Sequence, residues 1–374
     1  MIIGIDANEA NLTPNRVGVN QYAFYLLQAF RKLETEHKFV IYLKSPPLPD
    51  LPSESPNFNY RTIPFPKFWT QTRLPLDLYT HSPRPDIFFS MTHYAPRWSP
   101  IPVVIAIMDL GFITSPEQFT IKDINQLKNW TAYSIKKAEK IIAISNYTKQ
   151  DISKYFKRSP QDITVTYLGY DKELFKLDQD QTFTEKVLRK YGIIKPYFLF
   201  LGSLKPSKNI SNLIISFDKF RKVSSTFSRF KLVISGKKAW LYQDIYDLVA
   251  KLKLSREVIF TDFVPEPEIP SLLSGASAFV LPSFHEGFGI PVLEAMASGV
   301  PVVVSKAGSL PEVAETAGIY IDPYSQNSIV EGLKTSQVSP GKFVKAGLSR
   351  VKSFSWDKTA RQTLLAIENT ARKN

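Results

Sequence analysis

Short β-branched and aromatic runs alternate with longer amphipathic stretches along most of the chain, the pattern of a parallel sheet whose strands are joined by crossover helices. In the first half the runs predict strands over Ile2 to Ile5, Phe39 to Leu43, Asp86 to Ser90, Val103 to Met108, Lys140 to Ile144 and Ile163 to Thr166. Helical spacing covers Tyr22 to Leu33 and Asp123 to Ala138, and Ser145 is placed to cap a helix from Tyr147 to Phe156. From Tyr170 to Lys195 the chain is polar and acidic without a strand pattern. This predicts a connection at 176–195 between a first domain, 1–175, and a second, 196–354. A second alternation then predicts strands Tyr197 to Leu201, Lys231 to Ser235, Val258 to Thr261, Ala278 to Leu281 and Val302 to Val304. Helical stretches separate them at Asn209 to Arg221, Leu241 to Leu252, Glu266 to Ser274 and Pro291 to Ser298. The expected class is α/β, two Rossmann-like, doubly wound parallel-sheet domains in series. Ligands of such open sheets bind beyond the carboxyl ends of the strands, so two domains facing each other would make a cleft, and residues just after strands carry the candidate chemistry.

With 374 residues and 44% hydrophobic content, both domains can bury a core, which excludes disorder as a class. Lys and Arg outnumber Asp and Glu by 47 to 34, a net charge of +13 that favours anionic partners without choosing among them. The absence of cysteine excludes disulfides, thiolate metal sites and a cysteine nucleophile, and four scattered histidines argue against a His-rich metal centre. The amino terminus shows no secretory pattern. The longest apolar run, Ile101 to Met108, stops at Asp109 and falls short of the roughly 20 residues that cross a bilayer. The expectation is a soluble or surface-bound, cytoplasmic protein. The Pro-rich stretch Ser45 to Pro56 reads as a surface loop.

The most informative segment runs from Pro282 to Gly299 and follows a strand. Gly287 and Gly289 let a ligand approach the backbone, and Pro291 suits the first helical position, so amides and the helix dipole would face an anion there. Glu286 lies in the loop and Glu294 is expected in the first helical turn, leaning back toward the same place. Two acids beside a phosphate cradle make sense if they accept hydrogen bonds from neutral hydroxyls, which suggests a nucleotide sugar. A purely structural reading also stands: Glu294 stabilises the helix dipole and the glycines turn the chain. A dinucleotide fingerprint fails, because Val292 stands where its third glycine belongs. Asp178-Gln179-Asp180 matches a metal-holding D-x-D pattern but lies in the polar connection, away from any strand end, and reads as linker charge; no metal is expected.

The Glu286 to Glu294 spacing, followed by Ala295-Met296-Ala297-Ser298-Gly299-Val300-Pro301, resembles the E-x7-E signature of the family-four retaining glycosyltransferases, glycosyl transferases group 1, of the GT-B fold. Gly202-Ser203-Leu204-Lys205-Pro206-Ser207-Lys208-Asn209 resembles that family's Gly-x-x-x-Pro-Arg-Lys-Asn phosphate stretch, and Ile144-Ser145-Asn146-Tyr147-Thr148 its I-S-x-x-[ST] element. The resemblance implies Lys208 on a donor diphosphate, Glu294 on the ribose hydroxyls and Glu286 on the transferred sugar. It also implies the amides of Phe288 and Gly289 on sugar or phosphate, with help from Ser203 and from Gly18 in Arg16-Val17-Gly18-Val19-Asn20, which resembles the family's Gly-rich turn. The final helix, Trp356 to Thr370 within 355–374, would pack back on the first domain. The chain departs from the pattern at Ser207, where the family has Arg and Lys205 is the substitute, and at Met108-Asp109-Leu110, where the family has H-D-L; a thioether cannot donate the imidazole's hydrogen bond. Asp109 is the candidate for orienting an acceptor, with a capping role as its structural alternative. His93 and His285 are neighbouring candidates, and Phe263, with Val264, is the candidate platform for the base.

The function so implied is retaining transfer of a mannose- or glucose-type hexose from a UDP- or GDP-sugar to a hydroxyl of a glycan, lipid-linked or polysaccharide acceptor, with no cofactor. Two alternatives are a nucleotide-sugar-binding protein without transfer activity and a basic polyanion-binding scaffold. Lys136 to Arg158 carries seven basic residues against two acidic ones, and Phe68-Trp69 lie between Lys67 and Arg73. This pattern suits either solvated helix faces with buried aromatics or peripheral contact with an anionic membrane, at the inner face of the cell membrane. No nucleic-acid reader module is found.

Overall fold

The structure, a computed structural model, describes residues 1–116, 121–239 and 241–372, for 121–123 as backbone only. It divides into two compact units, the first made of 1–169 and 355–374 and the second of 170–354.

The first unit holds a seven-stranded parallel sheet of β1 (Ile2–Asp6), β2 (Lys38–Leu43), β3 (Phe58–Thr62), β4 (Ile87–Ser90), β5 (Val103–Ile107), β6 (Lys140–Ala143) and β7 (Ile163–Val165), in the order β3-β2-β1-β4-β5-β6-β7. The second holds a six-stranded parallel sheet of β8 (Tyr197–Leu201), β9 (Lys231–Ser235), β10 (Val258–Asp262), β11 (Ala278–Leu281), β12 (Val302–Ser305) and β13 (Gly318–Ile321), in the order β10-β9-β8-β11-β12-β13. Central strands such as β5, Val-Val-Ile-Ala-Ile, are buried at every position, as continuous apolar runs covered by helices on both faces must be. The order reverses direction beside β1 and beside β8, so the loops after β1 and β4, and after β8 and β11, flank the points where such sheets take ligands.

The strands missing from the sequence reading are β3 and β13, both at sheet edges. β13, Gly-Ile-Tyr-Ile, alternates half-buried and buried positions, and β3, Phe-Asn-Tyr-Arg-Thr, buries Phe58 alone, since an edge needs no continuous apolar run. The proposed connection at 176–195 is corrected as well, since these residues belong to the second unit and include a helix, Gln181–Lys190. Asp180 of the D-x-D triplet is its N-cap, accepting from the Thr182 and Phe183 amides at 2.8 and 3.1 Å, and Thr184, Val187 and Leu188 are its buried face. That stripe is narrow within a polar segment, which is why composition hides it.

Ser145 caps Asn146–Phe156 by accepting from the Thr148 amide at 3.0 Å. The last helix, Trp356–Ala371, lies against Val19–Lys32 in the first unit, where the Trp356 ring stacks on Tyr25 at 5.4 Å and the Thr359 hydroxyl donates to the Tyr167 carbonyl at 2.6 Å. Among the described residues no helix is long and apolar enough to cross a membrane.

Candidate functional site

Loops following β8, β11, β12 and β13 are bolted together in the second unit. After β8 the chain makes a short turn, Pro206–Lys208, and Asn209 takes a left-handed conformation, φ 57°, before Ile210–Val223 begins. The Asn209 amide is buried and donates to the Pro282 carbonyl after β11 at 3.0 Å and to the Pro323 carbonyl after β13 at 2.7 Å. Ser207 presents its carbonyl to the Phe284 amide at 2.9 Å. Ser305, at the end of β12, donates its hydroxyl to the Ser283 carbonyl at 2.6 Å. Backbone groups that loops would otherwise leave dry and unpaired are thus satisfied by neighbouring loops, which makes the corner rigid.

Lys208 and Glu286 project from two of these loops and meet. The Lys208 ammonium lies 2.7 and 2.6 Å from the two carboxylate oxygens of Glu286, with both side chains mostly buried. The sequence reading placed these two groups on different parts of one ligand; here they neutralise each other. Glu286 is held from behind: its carbonyl accepts from the Ser309 amide and hydroxyl, each at 3.0 Å. Gly308 crosses so closely that a Cβ there would stand 2.3 Å from the Glu286 carbonyl oxygen, and its φ of +60° suits glycine. Gly308, Ser309 and Ser305 are absent from the sequence reading, which has Asn209 only as the end of a motif and the start of a helix, since such a residue after a strand has no signature until its partner loop is known.

Gly289, left-handed at φ 93°, opens the helix Ile290–Ala297. Two expectations are corrected here. Pro291 occupies the second helical position and not the first, and Glu294 lies in the second turn; the helix starts one residue early because Gly289 completes the turn out of the loop. Glu294 is 5% exposed, a carboxylate held inside the protein. Phe288 buries its ring against Phe354 at 5.9 Å, so what it can offer a ligand is its backbone.

Ser203 and Lys205 are half-buried in the loop after β8. That loop is paired with the one after β9, Leu204 donating its amide to the Lys237 carbonyl at 2.9 Å, and the Lys237 ammonium lies 4.8 Å from the Phe263 ring centroid after β10. Phe263 is therefore linked to the same group of strand ends, half-buried, while Val264 is buried in the core.

Gly18, Asp109 and His93 belong to the first unit. Gly18 has φ 56° and is the N-cap of Val19–Lys32; beside it Arg16 is taken up by Asp50 and by the Ala10 carbonyl, the latter at 2.8 Å. Asp109 is exposed just beyond β5, and its carboxylate accepts from the Gly111 amide at 2.8 Å, opening the short helix Gly111–Thr114. Met108 is occupied through its backbone, its carbonyl accepting from Thr148 at 3.0 Å.

His93, after β4, has its Nε2 buried with no hydrogen-bond partner. Burial pushes its pKa down to about 4, against the opposing attraction of Asp109, so the ring is neutral. The unfolded chain takes up this proton first, and the contribution of His93 to stability falls as pH drops from its ordinary 6.5 to about 4. We expect urea midpoints of the wild type to decline more steeply over that window than those of His93→Gln. Parallel declines would show that the ring is not held neutral.

Among the described residues no cluster of three or more His, Asp or Glu is arranged to hold a metal ion.

Comparison with known proteins adds identity to this geometry. The family model described as Glycosyl transferases group 1 matches residues 184–336, and that of Glycosyltransferase Family 4 matches 17–174. An O-antigen chain mannosyltransferase B of Escherichia coli is 30% identical over 269 residues, covering 71% of this chain and 70% of the relative. Among solved structures, a sucrose-phosphate synthase from Thermosynechococcus elongatus superposes with a TM-score of 0.78 at 16% identity, covering all of both chains. The Anabaena protein HepE, solved with UDP and glucose, superposes at 0.74 with 18% identity, over 98% of this chain and 99% of its own.

Proposed function

The chain belongs to the glycosyl transferases group 1 family, has the GT-B fold, and is a glycosyltransferase; from that premise we propose that it moves a mannosyl-type hexose, with retention, from a nucleotide-diphospho-sugar to a hydroxyl of a growing polysaccharide or lipid-linked glycan. The observation that carries the reading is the corner where Lys208, Glu286 and the Gly289-led start of the Ile290–Ala297 helix converge. The mannosyl group and glycan acceptor are supported by the O-antigen mannosyltransferase relative.

In the proposed reaction the donor diphosphate lies against the helix start, with Lys208 transferring its charge from Glu286 to the phosphates and Lys205 in reserve nearby. Glu286 then accepts from the sugar hydroxyls and Glu294 from the ribose. The bond from the anomeric carbon to the diphosphate breaks through an ion-pair-like state. The acceptor oxygen attacks the same face and its proton passes to the departing phosphate oxygen, so no dedicated base and no metal are required. Asp109, in the first unit, is the proposed acceptor-orienting residue. Phe263 is the proposed face for the base.

A screen of UDP- and GDP-sugars for thermal stabilisation and for transfer to glycan acceptors tests this. Stabilisation by a nucleotide sugar with turnover is expected. Stabilisation without transfer or donor hydrolysis would select the binding-protein alternative, which Met108 and Ser207 motivate. Indifference to all nucleotide sugars with steeply salt-dependent binding of polyanions would select the scaffold alternative.

Gly308→Ala provides a check on positioning. A methyl group must displace the Glu286 loop, and a misplacement of about 1 Å costs on the order of a hundredfold in rate. We expect transfer to fall by about that factor while nucleoside diphosphate binding changes little. Unchanged transfer would show that the loop after β11 does not position the reacting sugar.

A further inference from the structure

Two aromatic side chains of the first unit stand in solvent on anchored backbone. Phe68 is 62% and Trp98 70% exposed, and each takes the left-handed conformation, φ 55° and 49°. Such a conformation is unfavourable for a bulky residue and persists only where its surroundings enforce it. They do so here. Of the pair Phe68-Trp69, for which the sequence leaves burial and exposure open, Trp69 is buried and donates its indole N–H to the Ile63 carbonyl at 2.8 Å, while Phe68 is turned outward. The Arg97 amide donates to the Thr70 carbonyl at 3.2 Å and the Trp98 amide to the Tyr133 hydroxyl at 3.1 Å. Both tips therefore belong to one stretch of surface, bounded by the helix Ile121–Lys137.

Among the described residues the charge around them is mainly basic. Lys67 is exposed beside Phe68, the Arg97 guanidinium lies over the Tyr133 ring at 4.9 Å, and Lys136 and Lys137 are exposed one turn beyond Tyr133. The carboxylates of the intervening segment are committed elsewhere: Asp77 is buried against Arg61 and Arg73, and Asp86 accepts from the Ile2 amide at 2.7 Å. Asp86 itself is exposed, and so is Glu139 past the end of the helix; among the described residues these acids are outnumbered by the cations.

We propose that this face docks on an anionic lipid bilayer, with Phe68 and Trp98 entering the headgroup layer and Lys67, Arg97, Lys136 and Lys137 facing lipid phosphates. Separate aromatic tips set among cations match the interfacial layer of a membrane, where amphipathic rings and basic groups both find partners. A protein interface would instead present a contiguous apolar centre ringed by polar groups. The proposal is independent of the transfer reaction, since it concerns residues with no part in it.

Flotation of the full chain with vesicles of phosphatidylcholine, alone or mixed with phosphatidylglycerol, tests it at low and high salt. Binding to the mixed vesicles, weakened by salt, is expected. Lys67→Gln and Arg97→Gln should each lower it about fivefold, and the double variant Phe68→Ser/Trp98→Ser by about tenfold or more. Val338→Ser, which alters a residue 80% exposed on the second unit, should leave it unchanged, as should the thermal midpoints of all variants. Absence of binding to the mixed vesicles, or equal binding by the aromatic double variant, overturns the proposal. So does a result in which that variant loses self-association in the ultracentrifuge but vesicle binding is untouched, which would assign the face to a second copy of the chain.

Discussion

Glu294→Ala is expected to weaken nucleoside diphosphate binding by about tenfold to a hundredfold, the range that follows from losing about 1.5–3 kcal/mol of hydrogen bonding to a charged group. The carboxylate is 5% exposed, in the second turn of Ile290–Ala297, and side chains at that depth lean toward the helix start. A ribose has two adjacent hydroxyl donors, and a carboxylate can accept both, which is the proposed pairing. The substitution also leaves space where a buried side chain was, so binding must be read beside stability. Glu294→Gln, which retains one acceptor oxygen and nearly the same volume, should fall between wild type and alanine. Calorimetry with a ribonucleotide and its 2′-deoxy counterpart separates a direct role from a structural one. If the carboxylate holds the ribose, the deoxy compound binds weakly to wild type and the alanine substitution costs it little more. Equal losses for both ligands would place Glu294 elsewhere.

The helix start was legible because glycines, a proline and two carboxylates follow a buried strand in one short segment, and each residue type restricts what the backbone does there. The positions of Pro291 and Glu294 were each misjudged, since nothing local reveals that Gly289 already completes the turn. Central strands such as β5 and β11 were legible as continuous apolar runs, whereas β3 and β13 were not, because edge positions tolerate asparagine, arginine and glycine. The helix Gln181–Lys190 was hidden by its polar surroundings, although its cap, Asp180, stood in plain view in a D-x-D triplet that reads as linker charge. Least visible was the support of the site. Asn209, Ser305, Gly308 and Ser309 act through backbone atoms of loops far away in sequence, a relation that composition and periodicity do not encode. The same holds for Trp69 and Phe68, adjacent aromatics of which one is core and the other surface.

Glu286→Gln should produce two opposite effects, a gain of several-fold in nucleoside diphosphate affinity and a loss of on the order of a hundredfold or more in transfer. Lys208 has both oxygens of Glu286 within 2.7 Å, so a diphosphate must compete with that carboxylate for the ammonium. Binding under the proposed reading is an exchange in which the phosphates take the ammonium and the sugar hydroxyls take the carboxylate. An amide at position 286 attracts the ammonium far less, which leaves Lys208 ready for the diphosphate, yet it lacks the charge that would stabilise the sugar as the bond to phosphate breaks. Lys208→Ala should lose affinity for the same ligand and strand a mostly buried carboxylate, so the double variant Lys208→Ala/Glu286→Gln should be more stable than Lys208→Ala alone. Calorimetry of UDP and GDP against the single and double variants, with transfer rates alongside, reads all of these. Glu286→Gln leaving diphosphate affinity unchanged while Lys208→Ala abolishes it would show that the ion pair does not compete with the ligand. A loss of affinity in Glu286→Gln equal to that in Lys208→Ala would show that the pair acts as an intact unit, with the carboxylate orienting the ammonium instead of occupying it.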